Sequence, residues 1–241
     1  MEKDKALAKP KRAGRRSKSL DGESQSIVSR EDIIRLALKI AKKEAVDAIT
    51  IMRLSRELDV TPSLIHYLIG GRDKLLTAVL NEAMKQDSPK IKTTGKWDVD
   101  LETVMREAFK FQMKWRGITT YLHTHNKHRL FQDTQPGEID HGLAFFNTVG
   151  EILKKSGMPA DKAAMAYHLL MLFVTSAAFT HINNQEPASH STFLKAQVKH
   201  VESANFNGAA FLLPEFAKLT TPMTFDVGLS LLLKTISEWV A

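Results

Sequence analysis

The sequence predicts an all-α protein, with an N-terminal three-helix helix-turn-helix domain and a larger helical domain behind it. Three observations carry that expectation. Apolar residues recur with the 3.6-residue period of a helix through most of the chain beyond residue 29. Helix starts and stops are marked by Thr61-Pro62, Thr221-Pro222 and Gly70-Gly71. The 241 residues, 43% hydrophobic and 25% charged, have the composition of a soluble globular protein near the upper size for one core, so one large or two unequal domains are expected.

Residues 1–26 are expected to form a flexible basic arm. Residues 1–20 hold eight Lys/Arg against Glu2 and Asp4, a net +6 of the chain's total +7. Pro10 and Gly14 discourage helix in "KPKRAGRRSK", and such a tract attracts polyphosphate strongly but without sequence preference. Arg12, Arg15 and Arg16 are therefore candidate nucleic-acid contacts; a solubilising tail that binds nothing is the alternative. The segment lacks the apolar stretch and small-residue cleavage site of a secretory signal. No run of eighteen apolar residues occurs, so no transmembrane helix and no membrane partner are expected. The chain has no cysteine, which excludes disulfides, thiolate metal sites and cysteine nucleophiles and suits a cytoplasmic protein.

Residues 27–76 read as the helix-turn-helix domain. "SREDIIRLALKIAKKEAV" places Ile33, Ile34, Ala37, Leu38, Ile40 and Ala41 on one face, and Ser29 with Asp32 resembles a capping box. Thr50 is placed to cap "IMRLSRELD", whose Leu54 and Leu58 face inward. After a tight Asp59-Val60 connection, Thr61 caps a third helix, "PSLIHYL", with Pro62 at its first position and Gly70-Gly71 as its stop. Two short helices across such a turn form a helix-turn-helix. Ile65 anchors the second of them, leaving Pro62, Ser63, His66 and Tyr67 on or near its outer face, where small residues approach base edges and a phenol reaches phosphate. An ordinary helical hairpin is the bland alternative.

Residues 29–76 resemble the N-terminal DNA-binding domain of the TetR (tetracycline repressor) family. The resemblance rests on "SREDIIRLALKIA", "AITIMRLSRELDV" and "TPSLIHYLIGGRDKLL" in that order. It implies that the third helix reads the major groove, with Thr61, Pro62, Ser63, Leu64, His66 and Tyr67 as candidate contacts. Arg53 on the second helix joins them, and Arg72 stands where the family binds phosphate at the start of the fourth helix. Asp59 replaces the glycine common in the turn, and Met52 and Leu64 stand where relatives often carry polar groups; either can touch a thymine methyl.

The rest of the chain, 77–241, is expected to be a helical ligand-binding and dimerisation domain. A polar loop, "DSPKIKTTGKWDVD", leads to a helix from about Leu101 that Gly117 ends or bends. "DHGLAFFNTVGEILKK" follows with Leu143, Phe146, Val149 and Leu153 inward. "ADKAAMAYHLLMLFVTSAAFTHI" is apolar almost all round, hence deeply buried or shared with another subunit. "TPMTFDVGLSLLLKTISEWVA" closes the chain. By the resemblance these last two form a four-helix homodimer interface; burial within one subunit is the alternative.

Phe109, Phe111, Trp115, Tyr121, Phe145, Phe146, Tyr167, Met171 and Phe173 are candidate walls for an apolar or aromatic effector, although most aromatics at helical spacing are core. His125 and His168 are candidate polar contacts for it. On a helix His123 and His125 point about 200° apart, and only His125 and His128 share a face, so no metal and no cofactor are expected. The motifs of serine hydrolases, phosphate-loop enzymes, zinc proteases and dinucleotide binders are absent. The expected function is a ligand-responsive regulator, with partners double-stranded DNA, a small-molecule effector and a second copy of itself. A nonspecific DNA binder and an unfamiliar helical enzyme are the alternatives.

Overall fold

The computed structural model describes residues 28–87, 93–124, 134–198 and 205–240. These form eleven α-helices and two short 3-10 turns, with no strand among the described residues. α1 (Arg30–Lys43) starts where the capping box was expected: Ser29 Oγ accepts the Asp32 N–H at 3.2 Å while Asp32 Oδ2 accepts the Ser29 N–H at 3.0 Å. Its buried face is the six-residue set read from the periodicity. A 3-10 turn, Val46–Ala48, leads to α2 (Ile51–Glu57), capped by Thr50 through the Arg53 N–H at 3.1 Å. α3 (Pro62–Ile69) is capped by Thr61, which accepts the Leu64 N–H at 3.3 Å. Gly70, at φ 88°, ends α3 in the left-handed region that glycine adopts without strain, and α4 (Arg72–Gln86) begins two residues later.

α1 to α4 pack into a first core around Ile33, Ala37, Ile49, Leu54, Ile65 and Leu75. That core does not stop at residue 76. α4 carries no breaker there, so its apolar face runs on through Val79 and Ala83, and Trp115 and Ile118 join from beyond it.

α5 (Trp97–Lys114) begins earlier than Leu101 because Asp100 gathers the preceding loop. Its carboxylate accepts the Thr94 N–H and hydroxyl, both at 2.7 Å, and the Gly95 N–H at 3.3 Å. The break before α6 (Arg116–Thr124) falls at Trp115, and Gly117 lies inside α6 rather than ending a helix. Its role is close approach: a Cβ there would sit 2.7 Å from the Ala41 carbonyl oxygen and closer still to that of Glu44, so α6 crosses the end of α1 backbone to backbone.

α7 (His141–Lys155), α8 (Ala160–Ile182) and α11 (Thr221–Ser237) build a second core on α5. Phe225 of α11 stacks between Phe109 of α5, at 4.0 Å between centroids, and Phe173 of α8, at 5.5 Å. Ala166, Leu170, Val174, Ala178 and Ile182 make one buried stripe on α8, but Met165 and Leu172 are exposed, so the helix is not buried all round. Among the described residues the stretch Ala160–Val198 alone is apolar and long enough to cross a membrane, a property that a core helix shares. On α7, Val149 and Leu153 are buried as expected, whereas Leu143 and Phe146 remain exposed on a face of its first two turns that the described residues leave largely uncovered.

Between α8 and α11, after a 3-10 turn at Pro187–His190, come α9 (Ser191–Val198) and α10 (Asn207–Phe216), for which the sequence reading made no provision. Neither buries a single residue.

The two cores are tied by polar contacts. Asn81 of α4 donates to the Ile139 carbonyl and accepts the His141 N–H, both at 2.9 Å. Arg116 of α6 donates to the Ile182 carbonyl at the end of α8, at 2.7 Å.

Candidate nucleic-acid interface and effector region

The turn between α2 and α3 needs a left-handed residue, and Asp59 supplies it at φ 52°. A short polar side chain tolerates that conformation, so the helix-turn-helix closes without the usual glycine. The Val60 N–H then reaches the Ser55 carbonyl at 2.9 Å. Ile65 is fully buried and fixes the rotation of α3. That rotation leaves Thr61, Ser63 and His66 exposed, Pro62 and Leu64 half-buried, and Tyr67 standing out with 86% of its surface free. Met52, at the start of α2, is 68% exposed beside them.

The expected phosphate-binding arginines are placed near this face but are not free. Arg53 forms a fork onto Glu44, with Nη1 and Nη2 at 2.7 and 2.9 Å from its oxygens, while Nε donates to Glu57 at 2.7 Å. These bonds hold the Glu44 carboxyl below its usual range and raise the guanidinium further. Arg72 pairs with Asp47 at 2.9 Å. α4 begins after Gly71, a residue that supplies no side-chain cap.

Residues 28–87 hold ten Lys/Arg against nine Asp/Glu, close to neutrality. The positive charge of the chain thus resides in residues 1–20, and Arg12, Arg15 and Arg16 lie outside the described residues. The signal for the damped charge was present in sequence as Glu57, four residues after Arg53. Glu44 and Asp47 become partners only through the turn that folds α2 back on α1.

The candidate effector residues do not converge on one chamber. Trp115 is fully buried in the first core, where its Nε1–H donates to Asp87 at 2.6 Å and Lys42 lies 4.6 Å above its ring. Phe111 and Tyr121 pack against that same core. Phe145 and Met171 pack against the second core, with Phe109 and Phe173 in the aromatic stack. Phe146 meets Tyr167 edge-on at 4.7 Å, and His168 is exposed. His125 and His128 lie outside the described residues. His123 stacks on Phe179 at 3.9 Å, and His181 Nδ1 lies 3.0 Å from Glu186.

The division already runs through α5, where Phe109 packs on the second core and Phe111, two residues later and so on another face of the helix, packs on the first. Open clefts lie elsewhere among the described residues. One, of about 330 Å³, lies between α1, α4 and the segment before α7 and is lined by Arg30, Asn81, Glu82, Lys85, Glu138 and His141. Another is a shallow groove of about 610 Å³ along α7, lined by Ile139, Leu143, Phe146, Gly150 and Glu151 among others.

No protein-family model and no curated protein sequence matches the chain. Solved structures do. ActR from Streptomyces coelicolor in its apo form superposes with a TM-score of 0.72 at 19% identity, over 90% of this chain and 100% of that one. The TetR family protein ActR in complex with (S)-DNPA gives 0.74 at 19%, over 90% and 100%. SCO7222, a TetR from the same organism, gives 0.71 at 16%, over 89% and 100%. A TetR variant from Acinetobacter baumannii AYE, in complex with minocycline, gives 0.61 at 13%, over 89% and 99%. At these identities the likeness carries the architecture, and the fold of this chain is that of the TetR-family transcriptional regulators.

Proposed function

We propose that this chain is a DNA-binding transcriptional regulator that reads a two-fold operator as a homodimer and responds to a small apolar or aromatic effector, with repression as its mode of action. The observation that carries this reading is α3: a capped helix, held by the buried Ile65, that offers Ser63, His66 and Tyr67 to solvent across a helix-turn-helix. Residues 28–76 serve as the reading unit, and the helices beyond serve effector binding and dimerisation. Dimerisation is supported by the exposed apolar stripe of Met165 and Leu172 on α8 and Met223, Val227 and Leu231 on α11.

Two α3 helices in a dimer must enter major grooves about one helical turn, ~34 Å, apart or a multiple of it. An effector acts by favouring a conformation with another separation, a population shift with no chemistry. The bound compounds of ActR and of the Acinetobacter TetR variant support an effector of this kind. The route to the DNA-binding end runs through α6, which joins Ile182 to the end of α1. Such a regulator turns over no substrate and works in the cytoplasm.

The test is selection from a randomised duplex pool, followed by anisotropy titrations of the winner and a scrambled duplex across salt concentrations. A two-fold symmetric winner, preferred by ~10³ or more, supports the proposal. Tyr67→Ala or Ser63→Ala then costs most on the winner, about 1–3 kcal/mol, whereas removal of Arg12, Arg15 and Arg16 weakens both duplexes and flattens the salt dependence. Binding without enrichment refutes it and leaves only the electrostatics of residues 1–20.

A further inference from the structure

Hydrogen-bond readout of the major groove relies on long side chains: Arg or Lys on guanine, Asn or Gln on adenine, and Asp or Glu accepting from cytosine. α3, with the sequence PSLIHYLI, carries none of them. Ile65 and Ile69 are its buried residues, so Tyr67 stands on the opposite side, with Ser63 one turn before it and Leu64 and His66 on its two flanks. On α2 the guanidinium of Arg53 is held by Glu44 and Glu57. Residues 28–87 are close to neutral, so phosphate attraction within this unit is weak as well.

The face is apolar where a code of donors would be expected. Met52 is 68% exposed in the first turn of α2. Leu64 is half-buried in the first turn of α3, the part of a recognition helix that meets base edges. Both are set on pinned turns: Ser55 Oγ donates to the Met52 carbonyl at 3.0 Å, and Thr61 accepts the Leu64 N–H at 3.3 Å. In the major groove such side chains have one apolar partner, the C5-methyl group of thymine.

We propose that Met52 and Leu64 are specificity-determining residues and that they recognise the C5-methyl groups of thymines, so that the half-site is read by apolar contact more than by bonds to base edges. This rests on the DNA-binding reading above and adds the base that it selects. Ser63 and His66 supply single hydrogen bonds that fix the register. The unbranched thioether of Met52 adapts its shape to the methyl it covers.

The test uses the full chain and the duplex it selects from the randomised pool. Each thymine is replaced in turn by deoxyuridine, which keeps every hydrogen-bonding group and removes only the methyl. At each contacted position the swap should weaken binding about 4-fold, the worth of one CH₂ taken out of water. Met52→Ala should bring the thymine-to-uracil affinity ratio at one of these positions to unity and leave the others unchanged, and Leu64→Ala should do so at a different one. Met52 is exposed, so its substitution leaves the core intact. A general loss of folding or affinity does not move this ratio.

Three results overturn the proposal. The first is a selected duplex that binds equally well with uracil at every position. The second is uracil sensitivity that neither substitution alters. The third is a loss confined to guanines replaced by 7-deazaguanine, which lacks the N7 acceptor; it assigns the reading to His66 or to Arg56, exposed on α2 with no ion pair among the described residues. A pool that yields no preferred duplex refutes the DNA-binding reading and this proposal with it, so the two failures are distinct.

Discussion

Replacing Gly117 by alanine tests the junction between the two halves of the molecule. The new Cβ would meet two backbone carbonyls, those of Ala41 and Glu44, and neither can rotate away as a side chain would. Carbon contacts are optimal at ~3.5 Å or more, so against the 2.7 Å available at Ala41 alone α6 must withdraw by roughly 0.8 Å. A gap of that size forfeits a quarter to a half of the dispersion energy along the α1–α6 contact. Overpacking adds about 1–3 kcal/mol. A total loss of about 3 kcal/mol follows, or roughly 6–12 °C in Tm for a chain of this size. Differential scanning calorimetry of the full chain measures it. Gly150→Ala is the control, since a Cβ there meets nothing and removing a mid-helix glycine should stabilise by about 0.5–1 kcal/mol. If Gly117→Ala melts within 1 °C of the parent, on the order of a third of a kcal/mol, the close approach of α6 to α1 is not the constraint described.

Other expected outcomes follow from single contacts. Burial raises the Glu186 carboxyl, but the Thr221 amide, at 2.7 Å, and His181 outweigh it and bring its pKa down to about 2 from 4.5. A depressed carboxyl stabilises above its unfolded pKa, so this contribution, at most about 3 kcal/mol, is complete above pH 4.5 and lost as pH falls toward 2. Glu186→Gln should therefore unfold at lower urea than the parent at pH 7, with the gap closing below pH 4.5; a gap independent of pH would exclude the charge as its source. Trp115→Phe removes the donor to Asp87 and should lower stability by about 1–3 kcal/mol in urea titrations, and an unchanged midpoint would contradict that bond. Glu44→Gln releases part of the clamp on Arg53; binding to any duplex should strengthen and the salt slope steepen by up to about one unit. An unchanged slope would show that Arg53 does not reach phosphate.

The sequence by itself determined the helices of the DNA-binding end, because their information is local. Ser29 with Asp32, Thr50 and Thr61 cap the residues three positions on, and Gly70 supplies the positive φ at which α3 ends. The buried faces of α1 and α3 followed from period alone, since one side of a helix must meet a core. Tertiary structure decided what depends on residues far apart. Phe109 and Phe111 look alike in a sequence, and only the packing on either side of α5 sends them to separate cores. Gly117 looked like a helix end, yet its meaning lies in α1, more than seventy positions earlier in the chain. Arg53 and Arg72 read as free cations until the fold brought Glu44 and Asp47 against them. Leu143 and Phe146 sit at core spacing, but periodicity records which face is apolar and not whether the chain supplies a cover, and here one subunit leaves that face open.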